Sequence, residues 1–156
     1  MSKSLKRVIA ALSVAGVKTN VLEMDRETRT SQQAADAIDC AVDQIAKSII
    51  FQAIDSGNVV LLLTAGGNQV DAEKASGLVG ETLGRADADL VRARTGFAIG
   101  GVAPIGHLNP LLCFMDARLF DFEHIYAAAG TPRHIFSIAP DTLRMISGAT
   151  IAEFVI

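Results

Sequence analysis

The feature that most restricts this chain is a pair of apolar runs separated by four turn-forming residues. Val59 to Leu63 is an unbroken run of valine and leucine, too short for a stable helix and bounded by turn signals, so it reads as a buried strand. Asp55-Ser56-Gly57-Asn58 precedes it. Gly and Asn tolerate positive φ, which makes this segment a turn with a mechanism. Before the turn, Ala46 to Ile54 mixes Ile49, Ile50 and Phe51 with Lys47 and Ser48, which suits a second strand. The two runs form a hairpin, and the rest of the chain has to cover it.

The remaining elements follow from capping and periodicity. Leu5, Val8, Ile9, Leu12 and Ala15 recur at helical spacing from Ser4 to Ala15, with Gly16 to close the helix. A short strand is expected from Asn20 to Met24. Thr30 or Ser31 can cap a helix over Gln32 to Ile38. Gly66-Gly67-Asn68 ends the second hairpin strand. Asp71 is placed to cap a helix from Ala72 to Val79, and Asp87 or Asp89 another that runs to Arg94. Strands are expected over Leu111 to Met115, His124 to Ala128, Arg133 to Ile138 and Ile151 to Ile156, and Pro140 opens a last short helix. Strands outnumber long helices and no regular βαβ alternation is present. The expected class is therefore α/β in the α+β sense, with a mixed, curved, barrel-like sheet flanked by helices. There is no repeat, low-complexity tract or linker, so residues 1–156 are expected to form one domain.

Composition narrows the function classes. Of the 156 residues 50% are hydrophobic and 20% charged, which predicts a packed interior and excludes disorder. No apolar run is long enough to span a bilayer. The basic N-terminus lacks a secretory pattern, so a cytoplasmic location is expected. A net charge of −3 argues against broad, non-specific nucleic-acid binding, while leaving room for a local contact with a nucleic-acid end. Cys40 and Cys113 have no metal or redox spacing, and His107, His124 and His134 are scattered. Two reduced cysteines and no zinc site are expected.

Two places can carry chemistry. Strand alternation groups Lys47 with Ile45, Ile49 and Phe51. A lysine there is either an edge-strand charge that blocks aggregation or a partly desolvated ammonium that binds an anion or a carbonyl oxygen. The second is Gly100-Gly101-Val102-Ala103-Pro104-Ile105-Gly106-His107. It has neither phosphate-loop nor dinucleotide-binding spacing. Paired glycines permit close approach of a ligand, and free N–H groups there can hold an oxyanion; a tight turn between strands explains the same residues. His107 and His134 are the acid–base candidates, and Asp116 ends a strand or starts a turn.

These residues, taken in order, resemble a known family. Gln44-Ile45-Ala46-Lys47-Ser48-Ile49-Ile50-Phe51, then Arg85-Ala86, then Thr95 to His107, Asp116, the Gly130 turn and Ala139-Pro140 are similar to the YbaK/ProX superfamily of aminoacyl-tRNA deacylases, related to the editing insertion domain of bacterial prolyl-tRNA synthetases. The resemblance implies hydrolysis of the ester of a mischarged tRNA by a compact mixed sheet flanked by helices, with no metal or organic cofactor. It implies catalytic or positioning roles for Lys47, Gly100, Gly101 and His134. Ser48, Pro104, Gly106, His107, Asp116 and Gly130 would shape the substrate site. The implied partner is the acceptor end of the mischarged tRNA, presented by a synthetase or an elongation factor, and no membrane is involved. A branch that removes cysteine carries Ser-Gly-Gly where this chain has Ala128-Ala129-Gly130, and an aspartate where it has Thr142. Both departures favour another small side chain such as alanine. A non-catalytic aminoacyl- or nucleotide-binding module of the same fold is the alternative, as is a hydrolase or lyase of a different small ester or prolyl-type substrate.

Overall fold

The computed structural model describes residues 1–156. Five helices and eight strands follow one another: α1 (Lys3–Val14), β1 (Val21–Glu23), α2 (Ser31–Ile38), β2 (Ala46–Ala53), β3 (Val59–Ala65), α3 (Ala72–Val79), β4 (Leu83–Arg85), α4 (Ala88–Thr95), β5 (Leu112–Asp116), β6 (Ile125–Ala128), β7 (His134–Ile138), α5 (Pro140–Ser147) and β8 (Thr150–Ala152). The expected caps are in place. The Thr30 hydroxyl accepts from the Gln33 N–H, the Asp71 carboxylate from Glu73 and Lys74, and the Asp87 carboxylate from Leu90. Each satisfies donors that a helix start leaves without intrahelical partners.

The hairpin forms as the sequence requires. β2 and β3 pair antiparallel from Ala46↔Ala65 to Gln52↔Val59. Every residue of β3 is buried, because β3 lies at the centre of a five-stranded sheet in the order β4-β2-β3-β5-β8, with β5 and β8 parallel to their neighbours. Its two faces feed two cores. Leu61, Leu63 and Ala65 face the larger one, with Val8, Phe97, Ile125 and Phe136. Val60 and Leu62 face the smaller one, with Ala75, Phe114 and Phe154.

β1, β7 and β6 make a separate three-stranded antiparallel sheet. The expected α/β class with a mixed sheet flanked by helices is present, but the sheet does not close into a barrel: the strands divide into two open sheets, one of them mixed. They pack together across the larger core and are joined by one backbone bridge, where Ile45 pairs with Tyr126 in parallel. On the outer side of β2, β4 reaches only Phe51, Gln52 and Ala53. Lys47 and Ser48 thus lie between the sheet junction and the end of the β4 ladder, on a stretch of β2 edge that β4 does not cover.

Two other expectations change. β4 is present although it was not anticipated, since three residues including Gly84 carry too little periodicity to announce a strand. The terminal strand is short: it stops at Ala152, and Phe154 turns into the smaller core. The chain then pairs with the segment before α3, where Asp71 N–H donates to the Phe154 carbonyl and Val155 bridges Val70.

Candidate active site

A cleft of about 700 Å³ opens beside the uncovered stretch of β2. Lys47 and Ser48 form one wall, Gly66 and Gly67 an end, and Ile99, Gly100 and Val102 another wall. Thr131, Pro132 and His134 close it from the three-stranded sheet, and Arg29 stands with the segment leading into α2. Elements far apart in sequence meet here, beside the Ile45–Tyr126 bridge between the two sheets.

Lys47 is half-buried, and its Nζ donates to the Gly66 carbonyl at 3.3 Å. An ammonium has three donors, so two remain for a ligand. Burial lowers its pKa from the ordinary lysine value, opposed by the negative charges of Asp116 and Asp43. Desolvation that is only partly offset strengthens the attraction for an incoming anion or a developing oxyanion. The Ser48 hydroxyl oxygen is buried and has no hydrogen-bond partner. An unpartnered buried hydroxyl costs about 1–3 kcal/mol, and a ligand group in the cleft would relieve it.

The glycine loop contributes differently from expectation. Gly101 is not on the cleft wall, and its N–H donates to the Ala98 carbonyl at 3.0 Å, which closes a turn. It is therefore not free to hold an oxyanion. Gly100 lines the cleft, and its N–H has no protein partner. Gly101 is required for contact instead: a Cβ there would come within 2.9 Å of Thr131 Cα. That close approach joins the glycine loop to the turn carrying Thr131 and His134. Gly130, at φ +95°, has its own constraint, since a Cβ would reach within 2.8 Å of the Ser4 carbonyl oxygen. It anchors the turn on α1 and is absent from the wall.

His134 lines the cleft, with Nδ1 at 2.6 Å from Thr131 Oγ1. His107 does not. Its Nε2 bonds the Ala103 carbonyl at 2.7 Å, and its ring meets Phe97 edge-on. It faces a separate pocket with Leu108, Asn109 and Cys113. Pro104 is buried, and Gly106 accepts at its carbonyl from Arg7 Nε at 2.7 Å. Asp116 is 4% exposed, and its carboxylate accepts from Ala65 N–H, Asn68 Nδ2 and Arg118 N–H. It pins the strand ends that carry Gly66, and acts on Lys47 through its charge. The structure thus brings Lys47, Ser48, Gly100 and His134 together and places Pro104, Gly106, His107, Asp116 and Gly130 outside the cleft wall. Sequence reasoning passed over Thr131, whose only signal was its place three residues before His134.

A neighbouring groove of about 750 Å³ carries Glu23, Asp25, Glu27 and Asp36 against the single cation Arg26. That charge repels phosphate, so the Lys47 cleft is the candidate for an anionic ligand. Nowhere do three or more histidine, cysteine or carboxylate side chains converge to hold a metal ion.

Comparison with known proteins places the chain in a family. The sequence pattern described as an aminoacyl-tRNA editing domain matches residues 25–146, which span every wall of the cleft. The chain belongs to the aminoacyl-tRNA editing domain family. It is 28% identical over 144 residues, 92% of this chain and 91% of the relative, to the uncharacterized protein YwhH of Bacillus subtilis (strain 168). A solved structure described as "a putative trans-editing enzyme for prolyl tRNA synthetase" superposes with a TM-score of 0.93 at 40% identity, over 100% of this chain and 99% of that one. The hypothetical protein APE2540 shares the fold, with a TM-score of 0.88 at 23% identity over 96% of this chain and 99% of that one. No helix of this editing-domain protein is long and apolar enough to cross a membrane.

Proposed function

We propose that this protein is a trans-acting aminoacyl-tRNA deacylase that hydrolyses the ester between a small, wrongly attached amino acid, such as alanine, and the terminal adenosine of a tRNA. The observation that carries the reading is the meeting of Lys47, the unpartnered Ser48 hydroxyl, the Gly100 loop and His134 in one cleft of an editing-domain chain. Water adds to the ester carbonyl, and the carbon–oxygen bond to the ribose breaks. The free amino acid leaves, and the ribose oxygen takes up a proton. The cleft contributes positioning and stabilisation of the tetrahedral oxyanion.

Lys47 holds the anionic or ribose end of the acceptor. Arg29 is exposed, and its guanidinium makes no hydrogen bond or ion pair, so it is available to a phosphate at the mouth. Lys74 is not a candidate, because it is bonded to Glu153 and the Val155 carbonyl away from the cleft. The apolar walls from Ile45, Ile49, Val102 and Ile135 limit the volume open to the amino-acid side chain. One methylene discriminates by only about 1–3 kcal/mol in such a pocket, so selection rests on excluding the larger, correct residue. A deacylation panel over alanyl-, seryl-, threonyl- and cysteinyl-tRNA tests the reading. Release of at least one small amino acid at catalytic enzyme concentration is expected. A protein that binds these substrates and releases none of them is a binding module instead.

A further inference from the structure

The turn between β6 and β7 fixes where the protons of His134 lie. Ala129 N–H donates to the His134 carbonyl at 2.9 Å, so the segment is closed across its base. Within it, Arg133 N–H donates to Thr131 Oγ1 at 3.1 Å, and the same oxygen lies 2.6 Å from His134 Nδ1. A hydroxyl has one proton to give. Thr131 Oγ1 has no other partner in the protein, so its one proton has a single protein acceptor, the lone pair of Nδ1. The opposite arrangement, with the proton on Nδ1, would leave the hydroxyl proton without a protein acceptor. In the first arrangement the ring proton sits on Nε2, and Nε2 has no partner in the protein.

An oxyanion is stabilised by donors placed around it in advance, and the Gly101 N–H is engaged with Ala98. The contact of Gly101 with Thr131 brings the Gly100 loop and the His134 turn side by side. We propose that Thr131 is a positioning residue that holds His134 as the Nε2–H tautomer, and that His134 acts as a hydrogen-bond donor to the ester carbonyl oxygen, beside the Gly100 N–H, and not as a general base. This rests on the deacylase reading of the cleft. The other charged groups around the imidazole are Glu23, opposite it in the β1–β7 register, Arg133 beside it, and Lys47 and Arg29 across the cleft.

Two measurements test it. Nitrogen-15 NMR of the free protein at pH 8.5 reads the tautomer directly: Nδ1 should resonate as an unprotonated and Nε2 as a protonated nitrogen. In Thr131→Val this preference should weaken, and in Thr131→Ser it should return. In deacylation assays, Thr131→Val should lower kcat about tenfold with little change in KM, the effect of one lost hydrogen bond, and Thr131→Ser should restore it. The Gln amide donates but does not act as a base, so His134→Gln should stay at least about tenfold faster than His134→Ala. A protonated Nδ1 in the wild-type protein, or His134→Gln as slow as His134→Ala, would overturn the proposal. Wild-type protein inactive on every charged tRNA would instead overturn the deacylase reading, and the NMR result would still decide the tautomer.

Discussion

His107 and His134 look alike in the sequence, each following a glycine and a proline within five residues, yet they belong to different parts of the molecule. His134 opens β7 at the cleft and shares a hydrogen bond with Thr131. His107 is turned toward α1 and the larger core, bonded to Ala103 and packed on Phe97. The contrast shows that a flexible, glycine-rich surrounding does not by itself mark a reactive histidine. What distinguishes the two is the environment that distant segments supply: Lys47, Ser48 and Gly100 for one, Ala103 and Phe97 for the other.

That contrast can be broken in several ways. The largest effect is expected at the contact between loops. Gly101→Ala places a methyl within 2.9 Å of Thr131 Cα, which pushes the His134 turn away from Gly100. A displacement of about 1 Å costs on the order of 10²-fold in rate, measurable in single-turnover deacylation. Next comes His107→Ala. Loss of the Ala103 bond and the Phe97 contact should destabilise the protein by about 1–2 kcal/mol in urea unfolding. The rate per folded molecule should stay within about twofold of wild type. A large fall in kcat at unchanged stability would move His107 into the chemistry.

Acid stability sharpens the same difference. Burial lowers the His107 pKa below the ordinary imidazole value, aided by the charge of Arg7 and opposed by the Ala103 hydrogen bond. A depressed folded pKa means that the native state binds fewer protons than the unfolded chain. The associated stability is present above about pH 6.5 and is lost as the pH falls through the folded value. His107→Gln should flatten the dependence of Tm on pH below about 6.5. The smallest effect concerns the pocket beside His107. Burial pushes the Cys113 thiol up to about 12, only partly offset by the nearby Ser147 hydroxyl, so iodoacetamide at pH 8 should leave Cys113 unmodified in the native protein. Rapid labelling would show that this region opens.

Much of the fold was legible in the sequence because its signals are local. The Asp71 cap, the turn at Gly57 and the apolar run of β3 each declare themselves within a few residues. The helix Ala72–Val79 appears with the expected ends. The division into two sheets did not appear, since it depends on which strands meet across the chain, and a single bridge between Ile45 and Tyr126 marks it. At the site, Lys47 was legible as a charge in an apolar strand and through the ordered resemblance around it. The role of Gly101 was not. A glycine that a ligand approaches and a glycine that another loop approaches read identically, and only the position of Thr131 separates them.

Whether the Lys47 cleft cleaves the ester is decided by Lys47→Met. The side chain keeps its unbranched shape, one atom shorter, and loses its charge. Burial lowers the Lys47 pKa, so at neutral pH the charged form is held at a cost to the folded state. The variant should therefore unfold at a temperature no lower than wild type. Its single-turnover deacylation rate on the mischarged tRNA that the wild-type protein cleaves should fall by about 10²-fold or more. A folded Lys47→Met protein that deacylates at the wild-type rate would contradict the account.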